Sequence, residues 1–451
     1  MTDSADAASR PLPDWYADAK FGIMVHWGPS SVPGYAPRSG RVWDVPDQFK
    51  ENPYTEWYRN SLKIPGSSAR EHHDRVYGAD FAYERFGDAF KVANATWDPG
   101  EWASLFARTG ARYVVPVSKH HDGFLLWPSR HKNPHAPDGY FSQRDLMGEL
   151  ATAVRANGLR FGLYYSGGID WLWHDALIRD MATMGAAIPR DPEYVRYAFA
   201  HWRELIERYE PSVLWNDIYM PGTREELADL FAEYYARIPD GLVNDRWKVR
   251  GGPHGMESMA AHDFTTPEYT VESAIKAKKW ECVRGIGHSF GYNREEGEDD
   301  YQKPRNLIHS LIDIVSKNGN LLLNVGPMAD GTIPELQRRR LEAVGAWLAV
   351  NGESIYGAQP WRQADGQEGD GKPVRFSAKG EHVYATVLDD LRAGGEAVLR
   401  GLRLGERASV RLLGVEHDLE WRQLAAGAAI RLPEGVEGEH AYTLRLRGVE
   451  S

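Results

Sequence analysis

Between residues 20 and 350 the chain alternates short β-branched or aromatic runs with longer stretches of helical period. The short runs, at 21–25, 112–117, 160–165, 213–215, 242–244, 263–265, 280–283 and 320–325, predict eight strands. The longer stretches, at 101–109, 146–157, 192–209, 224–237, 307–317 and 333–350, predict helices. Asp98-Pro99 precedes the first of these helices and Gly110 follows it. Asn157-Gly158 closes the second as a left-handed cap, and Thr332-Ile333-Pro334-Glu335 reads as a capped start to the last. Parallel neighbours need crossover helices of this length, so the class is α/β and the architecture a (β/α)8-like barrel. It is expected to be irregular, because helical pattern is weak around the sixth strand. A doubly wound open sheet loses support because no GxGxxG follows the first strand.

Beyond this region the period changes. Residues 364–372 (ADGQEGDGK) have a linker composition. Alternating runs follow at 374–377, 382–388, 396–402, 408–413, 429–432 and 442–446, separated by Gly-rich turns. They predict a small all-β sandwich. The expected domains are therefore a barrel over 1–360 and a sandwich over 361–451.

Composition narrows the function classes. The 451 residues carry 53 basic and 64 acidic side chains, a net charge of −11 that disfavours nucleic acid and anionic membrane as partners. No apolar run is long enough to span a bilayer, and the N-terminal segment lacks the basic and apolar regions of a signal peptide. The expected location is cytoplasmic. The single cysteine, Cys282, excludes an internal disulfide framework and a CxxC zinc site, and its apolar neighbours suit a core thiol. The 16 Trp and 22 Tyr suit either a core or flat platforms for sugar rings.

A barrel's active site forms at the C-terminal ends of its strands, so the residues just past each apolar run are the ones to weigh. The run-ends deliver His26-Trp27, Lys119-His120-His121-Asp122, Tyr164-Tyr165, Trp215-Asn216-Asp217, Asp245-Arg246-Trp247 and Pro267-Glu268-Tyr269. Phe290, Tyr292 and Arg294 come after the seventh. Taken together they predict one polar and aromatic pocket.

A metal site built on His26, His120, His121 and Asp122 is disfavoured. Adjacent histidines on a strand point to opposite faces, and no HExxH helix is present. No GxSxG or phosphate-binding loop supports other hydrolytic chemistry. Two carboxylates from different strands, set among aromatics and hydrogen-bond donors, are what glycoside hydrolysis requires. One protonates the leaving oxygen while the other attacks or stabilises the anomeric carbon.

Six segments carry a specific resemblance: 21–28 (FGIMVHWG), 119–124 (KHHDGF), 162–168 (GLYYSGG), 214–217 (LWND), 289–294 (SFGYNR) and 317–327 (KNGNLLLNVGP). Over roughly residues 14–361, in motif order, the chain resembles the α-L-fucosidases of glycoside hydrolase family 29. The resemblance implies a retaining exo-glycosidase that releases terminal α-L-fucose from oligosaccharides or glycoconjugates through a covalent fucosyl-enzyme, and whether transfucosylation competes with hydrolysis stays open. It implies no metal and no organic cofactor. Carried over by motif, Asp217 is the nucleophile and Glu268 the acid/base, with Glu281, Glu295 and Glu296 as competitors for the second role. The implied sugar-binding residues are His26, Glu56, Trp57, His120, His121, Tyr164, Trp215, Arg246 and Phe290. Like-charge repulsion from Asp217 is expected to keep Glu268 protonated. The alternatives are a related barrel glycosidase such as an α-L-galactosidase, or an inactive fucose-binding relative. Linkage preference and assembly into a homo-oligomer stay open in the sequence.

Overall fold

A computed structural model describes residues 10–40, 49–249, 257–258, 262–369, 371–435 and 439–450. Among the described residues up to 325 there are ten strands: β1 Phe21–Val25, β2 Tyr113–Lys119, β3 Arg160–Phe161, β4 Leu163–Ser166, β5 Val213–Asp217, β6 Leu242–Val243, β7 Lys248–Val249, β8 Glu257–Ser258, β9 Trp280–Gly285 and β10 Gly319–Val325. Their main sheet runs β6-β5-β4-β2-β1-β10-β9, with β3 beside β2, and every pairing in it is parallel.

The strands are buried on both faces, as a helix-wrapped parallel sheet requires. Ile23, Val114, Leu214, Val243, Cys282 and Leu323 pack toward the helices. The alternate positions Met24, Val115, Trp215, Leu242, Val283 and Leu322 fill the barrel interior. Cys282 is thus a buried thiol, and burial pushes it up to about 11.

The predicted sixth strand differs from expectation. Residues 263–265 join the ring only through single bridges, Asn244 to Phe264 and Thr265 to Trp280. Side chains take the place of a ladder here. Asp263 Oδ2 accepts the Val243 N–H at 2.7 Å, Asp245 Oδ1 accepts the Thr266 N–H at 3.0 Å, and Pro267 has no N–H to give. Before this segment the described residues include the antiparallel β7–β8 pair.

The remaining strands are β11 Gln359–Glu368, β12 Lys372–Lys379, β13 His382–Val387, β14 Glu396–Arg400, β15 Leu404–Leu412, β16 Trp421–Leu424, β17 Gly427–Arg431 and β18 Tyr442–Val449. They form an antiparallel sheet in the order β15-β18-β13-β12-β11-β14-β17-β16, folded over its own core of Phe376, Val387, Leu399, Val410, Ile430 and Leu444. The 364–372 stretch is not a linker. Its polar residues end β11 and turn into β12, with Asp365 paired to Arg375 in the ladder.

Helix ends follow capping chemistry where it is present. Asp98 accepts the Gly100 N–H at 2.8 Å to start Pro99–Arg108, and Gly158 is left-handed (φ 74°) just beyond Leu146–Ala156. The expected cap at Thr332 is absent. The last barrel helix starts at Glu335 behind Pro334, and the Thr332 N–H is taken by Asp330 at 2.8 Å. Among the described residues no helix is long and apolar enough to cross a membrane.

Candidate active site

The C-terminal ends of the barrel strands surround a cavity of about 240 Å³. All eleven residues named from sequence line it: Asp217, Glu268, His26, Glu56, Trp57, His120, His121, Tyr164, Trp215, Arg246 and Phe290. The wall also includes Met24, Phe49, Asn52, Tyr54, Met181, Met184, Ile218 and Val283, which sequence reasoning missed. Phe49, Asn52 and Tyr54 sit in the long loop after β1, and Met181 and Met184 on a short helix (Met181–Ala186) after β4. Neither segment has strand-end placement or a motif to point to it.

Asp217 closes β5 and Tyr164 lies on the neighbouring β4, in register with Trp215. The Tyr164 O–H donates to Asp217 Oδ2 at 2.7 Å, and Arg246 Nη1 donates to Oδ1 at 2.8 Å. Burial pushes the Asp217 carboxyl up, but the Arg246 guanidinium and the Tyr164 hydrogen bond overcome it and hold the group below its ordinary 3.8. Arg246 also reaches Glu268 Oε1 at 2.7 Å through Nη2, while its Nε donates to Thr266 Oγ1 at 3.0 Å. One guanidinium therefore joins both carboxylates. The repulsion expected between Asp217 and Glu268 therefore acts beside a cation that attracts each of them.

The histidines are neutral acceptors. Asn324 Nδ2 donates to the Phe290 carbonyl at 2.6 Å, which turns its oxygen toward His26 Nδ1, also at 2.6 Å. The Ser166 hydroxyl donates to Ile169 O at 2.9 Å, so its oxygen accepts from His121 Nδ1 at 2.6 Å. Both rings thus carry their proton on Nδ1 and leave Nε2 bare. Burial lowers His26 to about 4 and His121 to about 3, which keeps them uncharged. His120 and His121 both reach the cavity because β2 ends at Lys119; past the strand the alternation of side chains no longer applies.

Glu56 accepts the Gly291 N–H at 3.0 Å, and burial pushes its carboxyl up to about 7. Gly291 is required by this contact. A Cβ there would stand 2.3 Å from Thr55 Oγ1 and 3.1 Å from Glu56 Oε2. A close approach also explains the last glycine of the 162–168 segment. Ile218 (φ 53°) and Tyr219 (φ 76°) turn the chain sharply after Asp217, and a Cβ on Gly168 would fall 1.5 Å from the Ile218 carbonyl oxygen. A β-branched residue in the left-handed region is strained, and such strain gathers at functional sites. Under the His120-His121 turn lies a fully buried ion pair, Lys119 Nζ to Asp170 Oδ2 at 3.1 Å.

Other sequence candidates point elsewhere. Trp27 packs on Trp97 and Trp102, and the Tyr165 hydroxyl meets His201 Nδ1 at 3.0 Å. Arg294 donates to Val32 O at 2.9 Å. Asp122 accepts the Tyr83 hydroxyl at 2.9 Å and does not line the main cavity. Among the described residues no group of three or more His, Cys, Asp or Glu side chains could hold a metal ion. Of the competitors to Glu268, Glu295 is exposed and Glu296 is held by the His288 and Ser289 N–H groups at 2.7 and 2.8 Å. Glu281 is fully buried in the barrel interior. None of the three lines the cavity.

The arrangement offers a polyhydroxylated ligand two unprotonated imidazole nitrogens, carboxylate oxygens with further lone pairs, one guanidinium, and the apolar faces of Trp57 and Phe290. Comparison with known proteins agrees. The alpha-L-fucosidase family profile matches residues 1–353. The tissue alpha-L-fucosidase of Bos taurus is 33% identical over 98% of this chain and 90% of its own length, and the plasma alpha-L-fucosidase of Rattus norvegicus is 35% identical over 94% and 88%. The crystal structure of Thermotoga maritima alpha-fucosidase in complex with a mechanism-based inhibitor is 41% identical, covers 99% of both chains and has a TM-score of 0.88. Fold, motifs and relatives converge: the chain belongs to the α-L-fucosidases of glycoside hydrolase family 29 and is a glycoside-cleaving hydrolase of that kind.

Proposed function

We propose that the enzyme is a retaining exo-α-L-fucosidase with Asp217 as nucleophile and Glu268 as acid/base. The observation that carries this reading is that the two carboxylates, from different strand ends, share one guanidinium at the wall of a single cavity. Fucose is the proposed ligand because the relatives are fucosidases, one of them solved in complex with fucose. The cavity is closed below by the packed barrel interior, which suits a terminal sugar rather than a chain passing through.

In the first step an Asp217 oxygen attacks C1 of the fucosyl residue, the C1–O bond breaks, and Glu268 gives its proton to the departing oxygen. The β-fucosyl ester so formed is opened by water, whose proton returns to Glu268. Transfer to a sugar hydroxyl in place of water is the same second step with another acceptor. Each Asp217 oxygen accepts one hydrogen bond, from Tyr164 or Arg246, and keeps a second lone pair with which to meet C1. Arg246 is bound to Oε1 of Glu268, which leaves Oε2 to carry the proton for the leaving oxygen. Asp217 ionises readily because Arg246 and Tyr164 favour its charged form. His26, His121 and Glu56 suit the sugar hydroxyls, and they accelerate the reaction only where their bonds strengthen in the transition state. Trp57 and Phe290 suit the apolar C–H face and the C5 methyl group.

Replacement of the nucleophile tests the assignment. Asp217→Gly should lose release of an aryl α-L-fucoside, and azide should partly restore it by forming β-fucosyl azide. Turnover like the wild type in Asp217→Gly would contradict the assignment.

A further inference from the structure

Glu281 is a buried carboxylate of the barrel interior that the mechanism does not use. It lies near the N-terminal end of β9, fully buried, and three donors converge on it. The Tyr113 O–H reaches Oε2 at 2.5 Å, the Tyr16 O–H reaches the same oxygen at 2.8 Å, and the Trp215 indole N–H reaches Oε1 at 3.1 Å. The two oxygens of a carboxylate offer lone pairs enough for all three donors, and these hydrogen bonds favour its charged form against burial, which pushes the group up to about 7. A glutamine in its place would turn an NH2 toward at least one O–H or N–H.

The donor with a functional address is Trp215. Its indole lies between two groups that hold Asp217. On one side the Tyr164 ring stacks at 5.4 Å between centroids and 22° between planes; on the other the Arg246 guanidinium sits 4.6 Å from the ring centroid. Tyr164 binds Oδ2 of Asp217 and Arg246 binds Oδ1. The indole therefore acts as a spacer that sets the positions of both. We propose that Glu281 is a positioning residue for fucoside cleavage: by pinning the Trp215 indole from inside the barrel, it fixes the Tyr164–Asp217–Arg246 array and hence the angle at which Asp217 meets C1. This role rests on Asp217 as nucleophile.

The test is a double-mutant cycle on kcat with Glu281→Gln and Trp215→Phe, the second keeping a ring but removing the N–H. Alone, Glu281→Gln should lower kcat between about 5- and 100-fold with little change in KM. The loss should be the same for an aryl fucoside and a natural disaccharide, and azide should not relieve it. In the Trp215→Phe background the same change should cost less than about twofold. Equal losses in the two backgrounds would overturn the anchor. So would a loss confined to the poorer leaving group, which would make Glu281 the proton donor.

Should Glu281→Gln fail to fold, Tyr113→Phe carries the same cycle, since it frees the carboxylate from its shortest partner. A kcat loss that vanishes in the Trp215→Phe background supports the anchor; no loss, or an equal loss in both backgrounds, overturns it. Asp217→Gly separates the two ideas. If that variant turns over like the wild type, the underlying reading is gone. If it is inactive and the cycle is additive, only the role of Glu281 falls.

Discussion

The chemistry of this site comes down to how single side chains are held. Asp217 is buried yet favours its charged form, because a guanidinium and a phenol each take one of its oxygens. Removing the cation leaves burial as the main influence and raises the carboxyl. The acid limb of kcat/KM should therefore move to higher pH in Arg246→Met, with activity lost at pH values where the wild type still works. A full pH profile checks this, and an unmoved limb would contradict it. His26, His121 and Asp217 could be named from sequence because they directly follow or end apolar runs. Glu56 and Trp57 could not be found from pattern alone. They stand in a long loop, and what brings them to the cavity is a backbone contact 235 residues away, Gly291 N–H to Glu56. Only the resemblance to known fucosidases marked them.

At the scale of elements, strands were legible where a run of apolar residues is buried on both faces. β1, β5 and β10 show this, lying at or beside their expected limits. The 263–265 segment has similar residues but no ladder, because Asp263 and Asp245 bond backbone N–H groups with their side chains. That substitution depends on where the chain turns and leaves no periodic trace. β11 was hidden for a related reason: a two-stranded turn rich in Gly and Asp has the composition of a linker. The sharp turn after Asp217 is also an element-scale feature, held by the close approach of Gly168 to the Ile218 carbonyl. Gly168→Ala cannot fit without moving that turn, and a displacement of this size should lower kcat by about 100-fold or more while the protein still folds. Kinetics beside a thermal melt would check it; a variant with normal kcat would show that the turn can shift freely.

For the whole molecule, the sandwich backs the helices that support β9 and β10. Asp313, on the helix Pro304–Ser316, accepts from Lys317 Nζ at 2.8 Å and from Arg375 Nε on β12 at 2.5 Å. The Trp347 indole donates to Ala441 O at 3.0 Å, and Tyr384 donates to Glu353 at 2.8 Å. Asp313→Ala leaves the buried Lys317 without its carboxylate and should cost about 3 kcal/mol of stability. Because this contact lies behind the barrel wall and touches none of the cavity residues, kcat/KM of the folded variant should stay at the wild-type value. Denaturant melts and kinetics on one preparation test both halves. The central claim is that two carboxylates flank one anomeric carbon so closely that a sugar ester forms. Proton NMR of the first sugar released from an aryl α-L-fucoside, recorded before mutarotation, tests it most directly. α-L-Fucose is the expected first product, and β-L-fucose in its place would contradict a covalent sugar ester.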